Sequence, residues 1–166
     1  MDRDLQQLLD ERAIRRRLVE YCRGVDRGDA ELVASIYHPD GTDDHGSFKG
    51  LGADFAAYVT TRLAERYQAT MHTIGNTTIR FAGPDTAHVE SHVCARQRRD
   101  DDRGPVLETF GGRYIDRFER RDGEWRIAHR VLLHEWDKVE HIALAFPPDR
   151  YSQGVRGPGD VSYHQD

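Results

Sequence analysis

Thr70-Met-His-Thr-Ile-Gly-Asn-Thr-Thr-Ile-Arg-Phe81 is the stretch where the chain changes its period. Before it, apolar residues recur every three or four positions, the spacing of one helix face; from it onward β-branched and aromatic residues dominate. Met71–Phe81, Thr86–Gln97, Leu107–Arg120 and Glu124–Trp136 are therefore predicted as four strands. Their connections carry turn chemistry. Ala82-Gly83-Pro84-Asp85 and Arg121-Asp122-Gly123 supply the Gly and Asp that tight turns need, and the Asp100–Gly104 charge cluster suits a solvated hairpin tip.

Upstream, Leu5, Leu8, Leu9, Ala13, Ile14, Leu18, Cys22 and Val25 predict an amphipathic helix from residue 4 to about 27, ended by Gly28. Asp29 is placed to cap a second, short helix, Ala30 to Tyr37, stopped by Pro39-Asp40-Gly41. A polar stretch, Thr42 to Lys49, leads to a third helix from near Ala53 to Tyr67, with Phe55, Tyr58, Val59 and Leu63 on one face. Helices first and a consecutive antiparallel sheet afterwards define an α+β domain with helices on one face of a bent sheet. The domain is expected to span residues 1–138. The remainder, 139–166, is punctuated by Pro147-Pro148 and Gly157-Pro158-Gly159 and predicts an arm or lid, partly irregular; the apolar Ile142–Phe146 run favours packing on this domain or on a neighbouring subunit.

Composition narrows the function. Twenty-four Lys+Arg against 29 Asp+Glu in 166 residues give a net charge of −5, so there is no broad cationic surface for a nucleic-acid backbone or an anionic bilayer. Charges interrupt the first thirty residues, which excludes a secretory apolar segment, and no later stretch is long enough to span a membrane. Cys22 and Cys94 sit among core-type residues, which points to reduced buried thiols and a cytoplasmic protein. No HExxH, CxxC, P-loop, G-x-S-x-G or G-x-G-x-x-G pattern occurs, so neither a metal nor a nucleotide cofactor is called for.

An acid/base site remains. Asp26 follows Leu18 and Cys22 by eight and four residues, so a carboxylate either continues the apolar row of the first helix, where burial requires a partner or hydrogen bond, or has reached the helix end and caps it or faces water. His72 shares strand parity with Ile74 and Asn76 and can face the concave side of the sheet. His45, in Asp43-Asp44-His45-Gly46, can overhang the same space, and Arg130 on the last strand is a candidate for binding an anion or leaving group.

Order and spacing together resemble the SnoaL-like branch of the nuclear transport factor 2-like superfamily, a cone of curved, mostly antiparallel sheet enclosed by three N-terminal helices around a pocket. The resemblance spans residues 5 to about 136. It rests on Tyr21-Cys-Arg-Gly-Val-Asp26-Arg-Gly-Asp29, on Met71-His72, and on Phe118 to Arg130 with Trp125 between them. Within the superfamily the pattern is similar to scytalone dehydratase, hexachlorocyclohexane dehydrochlorinase and bile-acid dehydratase, which share an Asp–His pair. The resemblance implies that Asp26 orients His72 as the base that takes a carbon-bound proton beside a leaving group. It implies that Arg130 assists a departing anion, that Tyr21 stands at a position functional in relatives, and that His45 replaces a Tyr that holds a water against the substrate carbonyl.

An imidazole held by a carboxylate is fixed in one tautomer and can remove a weakly acidic C–H proton when the developing charge is delocalised or expelled. The expected activity is a cofactor-independent lyase, dehydratase-like, acting on a hydrophobic ring compound in a pocket lined by Phe55, Tyr58, Phe110 and Trp136. An isomerase or polyketide cyclase in the same pocket is one alternative; a non-catalytic small subunit of a ring-hydroxylating dioxygenase is the other. The expected partners are a hydrophobic small molecule and further copies of the chain, as trimer or dimer.

Overall fold

The computed structural model describes residues 3–164. Three helices, α1 (Arg3–Arg27), α2 (Ala30–Ser35) and α3 (Gly52–Arg66), enclose one six-stranded sheet made of β1 (Tyr37–Asp44), β2 (Lys49–Leu51), β3 (Ala69–Phe81), β4 (Thr86–Asp101), β5 (Gly104–Arg121) and β6 (Glu124–His141). The strand order is β2-β1-β6-β5-β4-β3. β3 to β6 form consecutive antiparallel hairpins, as the turn residues predict, while β1 joins β6 in parallel. The architecture is the α+β cone expected from the sequence.

α1 buries the later part of its apolar row, Ile14, Leu18, Tyr21, Cys22 and Val25, against the sheet, where Val89, Phe118, Trp125 and Ile127 complete the core, while Leu5, Leu8 and Leu9 of the predicted row stay exposed. The helix stops at Gly28, whose φ of +69° is the left-handed cap that side-chain-bearing residues resist. The Asp29 carboxylate then accepts from the Leu32 N–H at 2.9 Å and starts α2.

α2 is shorter than its predicted span to Tyr37, and the residues expected to be a helix stop and polar stretch are instead β1. Their hydrophobic pattern is weak because the strand is made by its neighbour: β6 supplies the pairing, with Ile127 N–H donating to Ile36 at 2.8 Å and Thr42, Asp43 and Asp44 opposite His129, Arg130 and Val131. The hairpin strands also run longer than predicted, so the β4–β5 tip narrows to the residues between Asp101 and Gly104. β6 continues to His141, three residues past the expected end of the domain.

Beyond β6 the chain doubles back on the end of α1. Gly157 N–H donates to the Arg27 carbonyl at 2.7 Å, Arg156 to the Tyr67 carbonyl at 2.7 Å, and Asp160 accepts from Arg27 at 2.9 Å. Contacts therefore come from the polar 154–163 segment, while Leu144 and Phe146 of the apolar run remain exposed. Asp160 is the hub: hydrogen bonds from Ser162, Val155 and Arg27 hold its carboxyl well below the usual carboxylate range. Asp160→Ala is expected to detach the arm without unfolding the cone, seen as faster tryptic cleavage after Arg150 and Arg156 with unchanged far-ultraviolet circular dichroism.

Candidate active site

Asp26, one turn past Cys22, reaches from the last turn of α1 to the start of β3. Its Oδ1 accepts from His72 Nδ1 at 2.7 Å and its Oδ2 from the His72 backbone N–H at 2.8 Å. β3 is the sheet's edge strand, so this N–H has no strand to bond and the carboxylate satisfies it. The two-point grip puts a hydrogen on Nδ1, so the neutral ring carries its unshared pair on Nε2, turned away from Asp26. Both side chains are almost out of solvent, at 12% and 9% exposure.

Burial resists ionisation of Asp26, but the hydrogen bonds from the His72 ring and backbone N–H outweigh it and hold the carboxyl below its usual value. The sign follows from linkage. A group that binds its proton more weakly when folded contributes stability above the unfolded pKa, about 3.9 for Asp, and that contribution is lost as pH falls through the lower folded value. Asp26→Asn is accordingly expected to flatten the acid side of a urea-midpoint profile measured from pH 5 to 2.

A cavity of about 210 Å³ lies between helices and sheet, and Tyr21, His45, Phe55, Tyr58, His72 and Phe110 all line it. Larger depressions on the surface, such as one beside Asp10 and Arg120, hold no carboxylate–imidazole pair. Tyr21 is buried edge-on between Tyr37 and Tyr114, ring centroids 6.4 and 5.6 Å away, and burial pushes its hydroxyl proton affinity far up. It therefore serves the cavity as a neutral phenol. Cys22 is buried, its thiol pushed up to about 12 by desolvation, which makes it an inert packing group. Cys94 departs from its expected burial and is half-exposed on the opposite side of the sheet, and neither cysteine is bonded.

Two expected site residues lie elsewhere. Trp136 does not line the cavity: it is half-exposed and lies against Gly111 on the outer face. A register shift between Gly111 and Gly112 pairs those residues with Trp136 and His134, leaving Glu135 as an extra residue. This bulge reverses the inward–outward alternation that begins at Leu132, which does face the cavity. Arg130 is completely buried behind the wall, not open to an anion. Its Nε and Nη2 donate to Asp116 at 2.7 Å each, and its guanidinium lies 4.2 and 4.0 Å from the Tyr21 and Tyr114 ring centres. The side chain supports the two tyrosines from behind.

Two further carboxylates around the site, Asp116 and Asp43, are placed by pairing between strands. Asp116 is legible only once β5 and β6 are in register, which sets it opposite Arg130. Asp43 is 1% exposed, bonded by Nδ1 of His45 and by the hydroxyl of Tyr37. One cue did exist: Asp43 and His45 are two apart, the spacing that puts strand side chains on one face. The start of α3 presses on the same group, since a methyl on Gly52 would come within 2.2 Å of the Tyr37 ring.

A cone of curved sheet and three helices around a small aromatic cavity, with an Asp–His pair at its wall, defines a class of pocket-forming α+β proteins. Residues 6–131 match the SnoaL-like domain, and the chain belongs to that family. No curated protein matches it. Among solved structures, a candidate scytalone dehydratase from Novosphingobium aromaticivorans is 25% identical with a TM-score of 0.71, covering 89% of this chain and 98% of its own. A type 3 hexachlorocyclohexane dehydrochlorinase from Novosphingobium barchaimii is 21% identical with a TM-score of 0.75, covering 87% and 99%. A Mycobacterium tuberculosis protein of unknown function is 22% identical with a TM-score of 0.70, covering 81% and 77%. The last two show the shared fold. No helix among the described residues is long and apolar enough to cross a membrane.

Proposed function

We propose that the chain is a cofactor-independent lyase in which His72, oriented by Asp26, removes a carbon-bound proton from a hydrophobic ring compound that then expels a leaving group. The observation that carries this is the double hydrogen bond from His72 to Asp26 at the edge of a cavity lined by aromatic side chains. The imidazole is held in the tautomer whose free nitrogen is the acceptor, and the carboxylate stabilises the imidazolium that forms. Phe55, Tyr58 and Phe110 supply apolar and π surface for a ring. Elimination is also the chemistry named for the dehydratase and dehydrochlorinase neighbours.

The proton acceptor needs an activated C–H, so the substrate is a ring carrying a carbonyl with the leaving group on the β carbon. A suitable probe is 3-hydroxy-1-tetralone, which loses water to become 1-naphthol and reports by fluorescence. 1-Tetralone in D2O tests the proton abstraction alone, by deuterium entering the carbon next to the carbonyl. Deuteration and naphthol formation that both require His72 support the lyase. Deuteration without elimination supports the isomerase or cyclase that would use the same pair. A protein that deuterates nothing is not an acid/base enzyme of this kind. A purely structural subunit is disfavoured by the desolvated ionisable pair, which contributes little to a core that has no use for it.

A further inference from the structure

A second carboxylate–imidazole pair faces the same cavity. We propose that His45, held by Asp43, is the proton donor of this site, so that the reaction is loss of water with proton and hydroxyl leaving from opposite faces of the ring. This deepens the lyase reading and rests on it.

The geometry starts from the sheet. His45 follows the last residue of β1 and His72 lies on β3, and β6, β5 and β4 separate those strands. The two imidazoles therefore enter the cavity from opposite ends of the sheet. Each has its Nδ1 engaged by a carboxylate, Asp43 or Asp26, and neither Nε2 has a hydrogen-bond partner among the described residues. His45 is fixed as firmly as His72. It stacks on Phe55 with ring centroids 4.2 Å apart, and its backbone N–H donates to the Phe48 carbonyl at 2.9 Å.

Charge separates the roles of the two. Asp43 and Asp116 are both buried behind the cavity, and Arg130 is the buried cation beside them. Its two paired nitrogens both go to Asp116. The other donor to Asp43, the Tyr37 hydroxyl, brings no charge. A proton on His45 makes the group neutral as a whole, and a buried carboxylate left without a counter-charge is costly. Asp26 is less deeply buried and takes an additional hydrogen bond from the backbone, so it needs no cation and leaves His72 free to accept.

The step then balances. His72 Nε2 takes the proton α to the carbonyl, and the C–H electron pair becomes the C=C bond. The C–O bond breaks with its electrons on oxygen, which takes the Nε2 proton of His45 and departs as water. His72 ends protonated and His45 neutral, and exchange with solvent resets both. A halide would need no such donor, whereas a hydroxyl does, which is why the pair points to a β-hydroxy carbonyl ring as the substrate class.

Long-range proton–nitrogen NMR of the uniformly 15N-labelled full chain at neutral pH tests the charge assignment without any ligand, with His45→Gln and His72→Gln assigning the signals. The expected pattern is two protonated nitrogens on His45 and one protonated, one bare on His72. A bare Nε2 on His45 overturns the proposal. Asp43→Asn, which removes the counter-charge, is expected to convert the His45 pattern to that of a neutral ring, an effect a merely structural Asp43 would not produce. The stereochemical arm uses 3-hydroxy-1-tetralone carrying deuterium on C2, cis to the hydroxyl. Retention of the label in 1-naphthol is expected; its loss means one imidazole performs both transfers on one face, which overturns the donor role. Absence of 1-tetralone deuteration instead overturns the base role of His72, a failure distinguishable from both.

Discussion

Under the proposed reaction, His72→Gln is expected to lower kcat for conversion of 3-hydroxy-1-tetralone by roughly 10²–10⁴-fold, the share a positioned general base supplies. Gln keeps a side chain of comparable reach and can still hydrogen-bond Asp26, so the pair's hydrogen bonding is largely kept while the proton acceptor is lost. KM should change little, because Phe55, Tyr58 and Phe110 line the cavity and in the proposed reaction would hold the ring without His72. The thermal midpoint should stay close to that of the parent. A matched fall in kcat and kcat/KM identifies an interaction made only in the transition state. A rise in KM at constant kcat would instead make His72 a binding residue, and an unchanged rate would leave the Asp26–His72 hydrogen bonds as fold support alone.

The second large effect is on stability and comes from behind the cavity. Asp116→Asn leaves the Arg130 guanidinium fully buried without the carboxylate that accepts both of its paired nitrogens. Breaking a buried pair by removing one partner costs about 3–5 kcal/mol, because the orphaned charge cannot reach water. For a chain of this size each kcal/mol moves the midpoint by roughly 2–4 °C, so a fall of roughly 6–20 °C is expected by differential scanning calorimetry. The double variant Asp116→Leu with Arg130→Met removes both charges and should recover much of that loss. A single variant that melts like the parent would show that the bidentate contact is not sustained in solution.

The two predictions separate chemistry from scaffold, and the tyrosines join them. Arg130 lies against Tyr21 and Tyr114, and Tyr21 borders the cavity. Loss of Asp116 is therefore expected to loosen the cavity wall at Tyr21, so that in the proposed reaction some activity falls with stability even though Asp116 does not line the cavity. The order of the effects is the check: His72→Gln takes activity at constant stability, and Asp116→Asn takes both.

Much of this was written locally. The α1 row from Ile14 to Val25 needs only its own spacing to be an amphipathic helix, and the Gly-Pro-Asp and Asp-Gly turns need only their own residues to make hairpins. Asp26 and His72 were visible as candidates, one as a carboxylate continuing an apolar row, the other as an imidazole opening a strand, and the family resemblance singled them out as a pair. What escaped were features decided by neighbours. β1 is a strand because β6 offers it hydrogen bonds, not because Tyr37–Asp44 alternates. Trp136 faces outward because one extra residue at Glu135 flips the parity of everything after it.

The linear chain thus determined by itself the long helices, the hairpins and the α+β class, since each follows from interactions within a few residues or from one periodic face; the pairing of Asp26 with His72 was implied only by the resemblance to a family. Only the folded chain decided that Arg130 is matched to Asp116, that Asp43 lies beneath His45, and that two imidazoles approach one space from opposite ends of a sheet. The physical reason is distance along the chain. Pairing of buried charges and sheet register are set by groups far apart in sequence, and their energies exist only where burial has already removed the water.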